Sequence, residues 1–195
     1  MAQYDDLKDY DWLAPEVDRH ETPQAMALGA LLLDKLKPRS VIDIGCSSGI
    51  YLVPFREAGC RILGVDGAPG VGGQIPGAFA VHDLRTADFH WSGYDLALCI
   101  EVGEHVPMQF ADNVVNACCM ASKTVFFCAA RVGQGGEGHI NCQPQSYWKE
   151  KFTERGYEKH PLDDEINEML EADDVYTHCG WLRWNSFLVQ KKVFK

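Results

Sequence analysis

The sequence predicts a three-layer α/β fold, a doubly wound and mostly parallel sheet of seven strands with helices on both faces. Three observations carry this. Short apolar, β-branched runs alternate with stretches of helical spacing; the first such run ends in the glycine turn "VIDIGCSSG"; and an acid stands at the end of each of the next two runs.

In chain order, "TPQAMALGALLLDKLKP" has apolar residues at helical spacing, with Thr22 as N-cap, Pro23 at the first helical position and Pro38 as the stop. "SVIDIG" reads as a buried strand, and "IYLVPFREAG" as a helix with Pro54 in or near its first turn. "RILGVDG", "AFAVHDL", "YDLALCIEV" and "KTVFFCAAR" read as strands two to five, and helical "PMQFADNVVNACCMA" separates the last two. Glycine-rich "APGVGGQIPG" stands where a crossover helix would lie. After Arg131, "VGQGGEGHINCQ" reads as a flexible active-site loop with one histidine. Then come helical "PQSYWKEKFTERG", a sixth strand at "YEKH", an acidic helix at "LDDEINEMLEAD" and a terminal strand in "NSFLVQKKVF". Residues 23–195 form one domain. Residues 1–22 form an N-terminal segment in which Tyr4, Tyr10, Trp12 and His20 could close over a ligand as a lid, or pack as a surface tail.

The 195 residues carry 28 Asp and Glu against 18 Lys and Arg, a net charge of −10, and no basic run exceeds "KK" at 191–192. This balance argues against a nucleic-acid partner, which needs a basic track for phosphates. Eight cysteines without CxxC spacing, several inside apolar runs, read as reduced, buried thiols of a cytoplasmic protein. No apolar run reaches the ~20 residues of a membrane span.

The glycines at 45 and 49 permit a tight strand-to-helix turn and close approach of a ligand to N–H groups at the following helix start. Their GxxxG spacing is not the GxGxxG that cradles a pyrophosphate, which counts against a dinucleotide at this turn. Asp66 in "GVDG" is placed to accept both hydroxyls of a ribose. Asp83 in "VHDL" could take the exocyclic amine of an adenine, with Leu84 offering its backbone N–H. Asp43 stands two residues before the first glycine. Each of these aspartates alone is also ordinary turn chemistry; the three with the glycine turn converge on one crevice.

Carried by "VIDIGCSSG", "GVDG", "VHDL", "YDLALCIEVGEHVP" and "GHIN", the chain resembles a class I S-adenosylmethionine-dependent methyltransferase of the small-molecule type with an EVxEHV motif. The resemblance covers about residues 23 to 190 and implies the Rossmann-like methyltransferase fold. It also implies S-adenosylmethionine as cofactor, with Asp43, Gly45, Cys46 and Gly49 around its methionine part, Asp66 at the ribose and Asp83 with Leu84 at the adenine. Glu101 would face the sulfonium or amino group, while Glu104 and His105 would project toward a small-molecule substrate. The family often has glycine where Ser47 or Ser48 stands here.

Glu104 could instead cap the helix that Pro107 opens. In small-RNA 3′-end 2′-O-methyltransferases and some ubiquinone-pathway O-methyltransferases a similar ExxEH motif contributes metal ligands. By that likeness Glu101, Glu104, His105 and His139 are an alternative divalent-metal set. Without metal, His139 or His105 is the expected general base, since imidazole titrates near neutrality. Trp148, Trp181 and Trp184 either wall the acceptor or belong to the core. The expected function is O-methylation of a small molecule. Its competitors are a nicotinamide oxidoreductase and a non-catalytic S-adenosylmethionine-binding module.

Overall fold

The structure, a computed structural model, describes residues 14–69 and 71–193, with side chains from Thr22 onward. All seven expected strands are present: β1 Ser40–Ile44, β2 Arg61–Asp66, β3 Phe79–Val81, β4 Leu96–Ile100, β5 Thr124–Cys128, β6 Tyr157–Lys159 and β7 Phe187–Lys191. They form one sheet in the order β3-β2-β1-β4-β5-β7-β6. The first five run parallel, and β7 lies antiparallel between β5 and β6. The order reverses between β1 and β4, so the two chain crossovers diverge there and leave a crevice beyond the strands' carboxyl ends.

The strand period of two sorts side chains to two cores. Val41, Leu96, Leu98, Ile100 and Phe126 face the layer of α1 Ala14–Leu36, α2 Val53–Glu57, α5 Asp163–Ala172 and α6 Gly180–Asn185. Ile42, Ile44, Ala97, Cys99, Val125 and Phe127 face α3 Ala111–Ala121 and α4 Gln145–Glu154. β1 and β4 are buried along their whole length, which is why both read as unbroken apolar runs.

Two expectations need correction. The first helix does not begin at Pro23: α1 starts at Ala14 and holds Pro23 in its interior. A proline there removes a hydrogen bond, but Ala25, Leu28 and Leu32 are fully buried against the core, and that packing outweighs the local penalty. Helix α2 is shorter than expected, since Ile50–Leu52 form a 3₁₀ turn before it. The chain from Asp174 to Asn185, left unassigned by the sequence, is a 3₁₀ stretch capped by Asp173 followed by α6. The lid candidates Tyr4, Tyr10 and Trp12, and the His20 side chain, lie outside the described residues. Among its described residues the glycine-rich segment after β2 has no helix. Its Ile75, fully buried, plugs the space instead: a Cβ on Gly49 or on Gly64 would come within 2.5 Å of it.

The core behind the sheet is tightest around Phe127, whose ring lies 5.2 Å from Trp148, 5.5 Å from Phe152 and 5.3 Å from Phe187. Phe127→Ala is expected to cost about 3–5 kcal/mol in urea unfolding through lost burial and an uncollapsed cavity. A loss below about 1 kcal/mol would contradict this packing.

Candidate active site

A cleft of about 460 Å³ opens at the crevice. Asp43 and Gly45 from the end of β1, Asp66 from β2, Asp83 and Leu84 after β3, and Glu101 after β4 all line it. Cys46, His105 and His139 line it too. Most residues expected at a cofactor therefore stand together.

Two do not touch the cleft. Gly49 is absent from its walls; with φ of +86° it makes the turn before the 3₁₀ segment, and Ile75 fills the space beside it. Gly45, at φ +79°, does line the cleft, yet a Cβ there would sit 2.3 Å from Val102, so neighbouring packing as well as the turn requires glycine. Glu104 is fully buried behind the wall rather than projecting from it. It caps no helix: its Oε1 accepts from the N–H of Ala130 at 2.9 Å, tying the end of β4 to the end of β5.

Charge sets the character of the cleft. Asp43 is 2% exposed, and its Oδ1 has no hydrogen-bond partner. Burial, with repulsion from Asp66, pushes its pKa to about 7. Asp66 accepts from Ser47 N–H and Ala68 N–H, both at 2.9 Å, which fixes its carboxylate at the rim. Burial alone would raise Asp83, but Arg85 grips it from side chain and backbone and holds it below the usual carboxylate range. Both carboxylate oxygens of Asp83 are thus engaged by Arg85, and the pair lines this wall of the cleft together.

At the end of β4, Glu104 lies beside Glu101. Burial, then the neighbouring carboxylate, raises Glu104 to about 8. The main-chain carbonyl of Glu104 accepts from Ile140 and Asn141 N–H at 2.9 Å each, and the buried Asn141 side chain donates to Gly103 carbonyl at 3.1 Å. This clasp brings the His139 ring 4.9 Å from that of His105. A Cβ on Gly136 would fall 2.2 Å from the His139 ring, so glycine lets the loop lie flat on the imidazole. Burial, then His139, lowers His105 to about 4, which keeps it neutral. One ligand atom each of Glu104, His105 and His139 lies within 4.8 Å of the others. Glu104 Oε2 and His139 Nδ1 are buried without a hydrogen-bond partner.

Sequence reasoning missed Arg85, Gln134, Gly136 and Asn141. Asn141 stood inside the quoted "GHIN", and Gln134 is the one long polar amide among the loop glycines. Of the tryptophans, Trp148 is core, Trp181 lines the cleft and Trp184 is exposed.

A family model described as a methyltransferase domain matches residues 17–122, more than half of the 195-residue chain. The chain belongs to the class I S-adenosylmethionine-dependent methyltransferase family. Curated relatives include a ubiquinone biosynthesis O-methyltransferase of Sodalis glossinidius, 27% identical over 106 residues, which covers 46% of this chain and 40% of the relative. Another, from Idiomarina loihiensis, is 30% identical over 104 residues, 46% of this chain and 40% of the relative. The chain thus spans less than half the length of these relatives. Among solved structures, magnesium protoporphyrin IX methyltransferase from Synechocystis with bound SAH superposes with a TM-score of 0.62. It is 15% identical, over 91% of this chain and 86% of that one, a likeness of fold. No helix among the described residues is long and apolar enough to cross a membrane.

The cleft suits the family's cofactor. Asp43's orphaned oxygen awaits a cationic donor, and Asp66 retains acceptor capacity at the rim. An Asp with its folded pKa raised from 3.8 to about 7 binds its proton more tightly when folded. That contribution to stability is present below pH ~4 and is lost as pH rises through ~7. Asp43→Asn should therefore stabilise the unliganded protein at pH 8 by about 2 kcal/mol. It should also weaken S-adenosylmethionine binding at least about tenfold. Calorimetry should show wild-type affinity rising from pH 6 to 8 with proton release. A pH-independent affinity would contradict a cationic ligand at Asp43.

Proposed function

We propose that the protein transfers a methyl group from S-adenosylmethionine to an uncharged hydroxyl of a small acceptor, with His139 receiving the hydroxyl proton. The observation that carries this reading is the pairing of a carboxylate-lined cleft with two adjacent imidazoles at its wall. The bound cofactor would supply a methyl on a positively charged sulfur. Asp43, Asp66 and Glu101 bind and orient the cation. His139 takes the acceptor's proton as oxygen attacks the methyl carbon, and neutral His105 beside it is a second acceptor. Glu104, behind both, holds the loop that carries His139. Much of the acceleration in such a transfer comes from positioning.

Among the described residues lining the cleft, Arg85 is the single Lys or Arg, and it is ion-paired with Asp83 at 2.8 Å. An acceptor bearing a carboxylate or phosphate near the reacting oxygen would find no unpaired cation. Curated relatives named as ubiquinone biosynthesis O-methyltransferases support transfer to oxygen. A cytoplasmic location fits the acidic composition and eight free cysteines.

A second reading rests on one observation: one ligand atom each of Glu104, His105 and His139 lies within 4.8 Å of the others. A carboxylate with two imidazoles suits Mn²⁺ or Zn²⁺; Glu101, expected as a fourth ligand, is not part of this cluster and accepts from Cys128 and Gln134 instead. Such an ion would lower the pKa of an acceptor hydroxyl.

Formation of S-adenosylhomocysteine from a panel of phenols, alcohols and carboxylates separates these readings. Uncharged hydroxyl compounds should turn over, and turnover should survive exhaustive chelation. Loss on chelation with recovery on added Mn²⁺ or Zn²⁺ would instead establish the metal reading. Binding of the cofactor without turnover of any acceptor would favour the non-catalytic module. His139→Ala should lower kcat by roughly 10² or more while the cofactor Kd stays within about twofold. Unchanged kcat would remove His139 as the base.

A further inference from the structure

Glu101 is an awkwardly placed residue. It follows β4 with φ of +52°, in the left-handed region that a non-glycine residue adopts at a cost, and its carboxylate sits beside Glu104. Cys128 and Gln134 are among the side chains that steady it. Oε1 accepts from the Cys128 thiol at 3.2 Å, and Oε2 accepts from Gln134 Nε2 at 3.4 Å. Gln134 is itself held from outside, because its Oε1 accepts from Asn185 Nδ2 at 2.7 Å. Asn185 ends α6 and is 2% exposed.

The Gln134 amide thus bridges a cleft carboxylate and a helix end. Its orientation is determined: flipping it would set Oε1 against the Glu101 carboxylate and the NH₂ against that of Asn185. Val132, Gly133, Gly135, Gly136 and Glu137 around it are exposed. Among the described residues from 132 to 137, Gln134 alone reaches across to another element by a side-chain hydrogen bond. Gly133 at φ +87° and Gly138 at φ +70° flank the segment with backbone conformations that favour glycine. The loop lies on the cleft through Gln134, Gly135, Gly136, His139 and Ile140.

We propose that Gln134 is a positioning residue and latch: it fastens the 131–140 loop to α6 and, with the same amide, aims Glu101 into the cleft. Closing the loop and completing the cofactor site are then one event. The 132–137 stretch, beside the His139 that the Glu104 clasp seats, closes only with Glu101 set, so the site is ready for an acceptor once the cofactor is held. By linkage, cofactor binding must favour the closed loop to the extent that closure favours the cofactor. The coupling rests on the proposed role of Glu101 at the cofactor; the latch does not.

Three variants separate the two bonds. Gln134→Met keeps the length and removes both. Gln134→Glu keeps an acceptor for Asn185 and sets a second carboxylate against Glu101. Asn185→Leu removes the outer bond only. Amide hydrogen exchange across 132–138, with and without S-adenosylmethionine, and cofactor titration are measured on each, with melting temperature as a folding control. Exchange in the unliganded loop should quicken about tenfold in Gln134→Met and Asn185→Leu and stay near wild type in Gln134→Glu. Cofactor Kd should rise about tenfold in Gln134→Met and in Gln134→Glu. Cofactor should slow loop exchange in wild type and lose that effect in Gln134→Met. Wild-type exchange in unliganded Gln134→Met would overturn the latch. Unchanged Kd in both Gln134 variants would overturn the coupling while leaving the cofactor reading intact. Wild-type protein that fails to bind the cofactor would fell that reading and the coupling, with the unliganded exchange still deciding the latch.

Discussion

The site depends on one buried carboxyl. Glu104 has no exposed surface, and it joins three segments that would otherwise end separately: its side chain receives Ala130 after β5, its carbonyl receives Ile140 and Asn141, and its own turn follows β4. Burying an acid costs free energy unless it is hydrogen-bonded or neutral. Here a backbone N–H satisfies one oxygen, and burial with the neighbouring Glu101 raises its pKa and favours the neutral form. In return the two histidines meet at a fixed angle, and Glu101 is confined to the cleft wall. A residue that reads as substrate-facing in the sequence acts from behind it.

The rest follows from the way a parallel sheet delivers its strand ends. β1, β2 and β4 are adjacent and in register, so the acids after them arrive at one edge whatever their separation in sequence. Four carboxylates and one already paired arginine make a concave surface that favours cations. Asp43 shows the cost of this arrangement in the absence of a ligand: it keeps a proton to about pH 7 because ionising without a partner is unfavourable. A cationic ligand relieves that penalty, so affinity and pH are linked through a residue that also lowers the stability of the unliganded fold.

All seven strands were legible because each is a short β-branched or aromatic run set between turn residues. That Asp43, Asp66 and Glu101 would line one cleft was legible because strand-end position fixes where they go. What the sequence hid was tertiary in origin. Pro23 reads as a helix start, yet burial of Ala25, Leu28 and Leu32 carries the helix past it. Helix α6 is too short, with Trp181 inward and Trp184 outward, to show a period. Asp83's capture by Arg85 is a local side-chain choice, Glu104's retreat needs the loop from another strand, and Gln134 becomes visible only once Asn185 is beside it.

The central assignment is that the carboxylate-lined crevice holds S-adenosylmethionine, with Asp66 at its ribose. Calorimetric titration of wild type and Asp66→Ala with S-adenosylmethionine, and with NAD as a competitor class, tests it most directly. Expected are binding of S-adenosylmethionine to wild type in preference to NAD, and a loss of roughly 10- to 100-fold in Asp66→Ala with the melting temperature little changed. Equal affinity in the two proteins, or a wild type that prefers NAD, would contradict it.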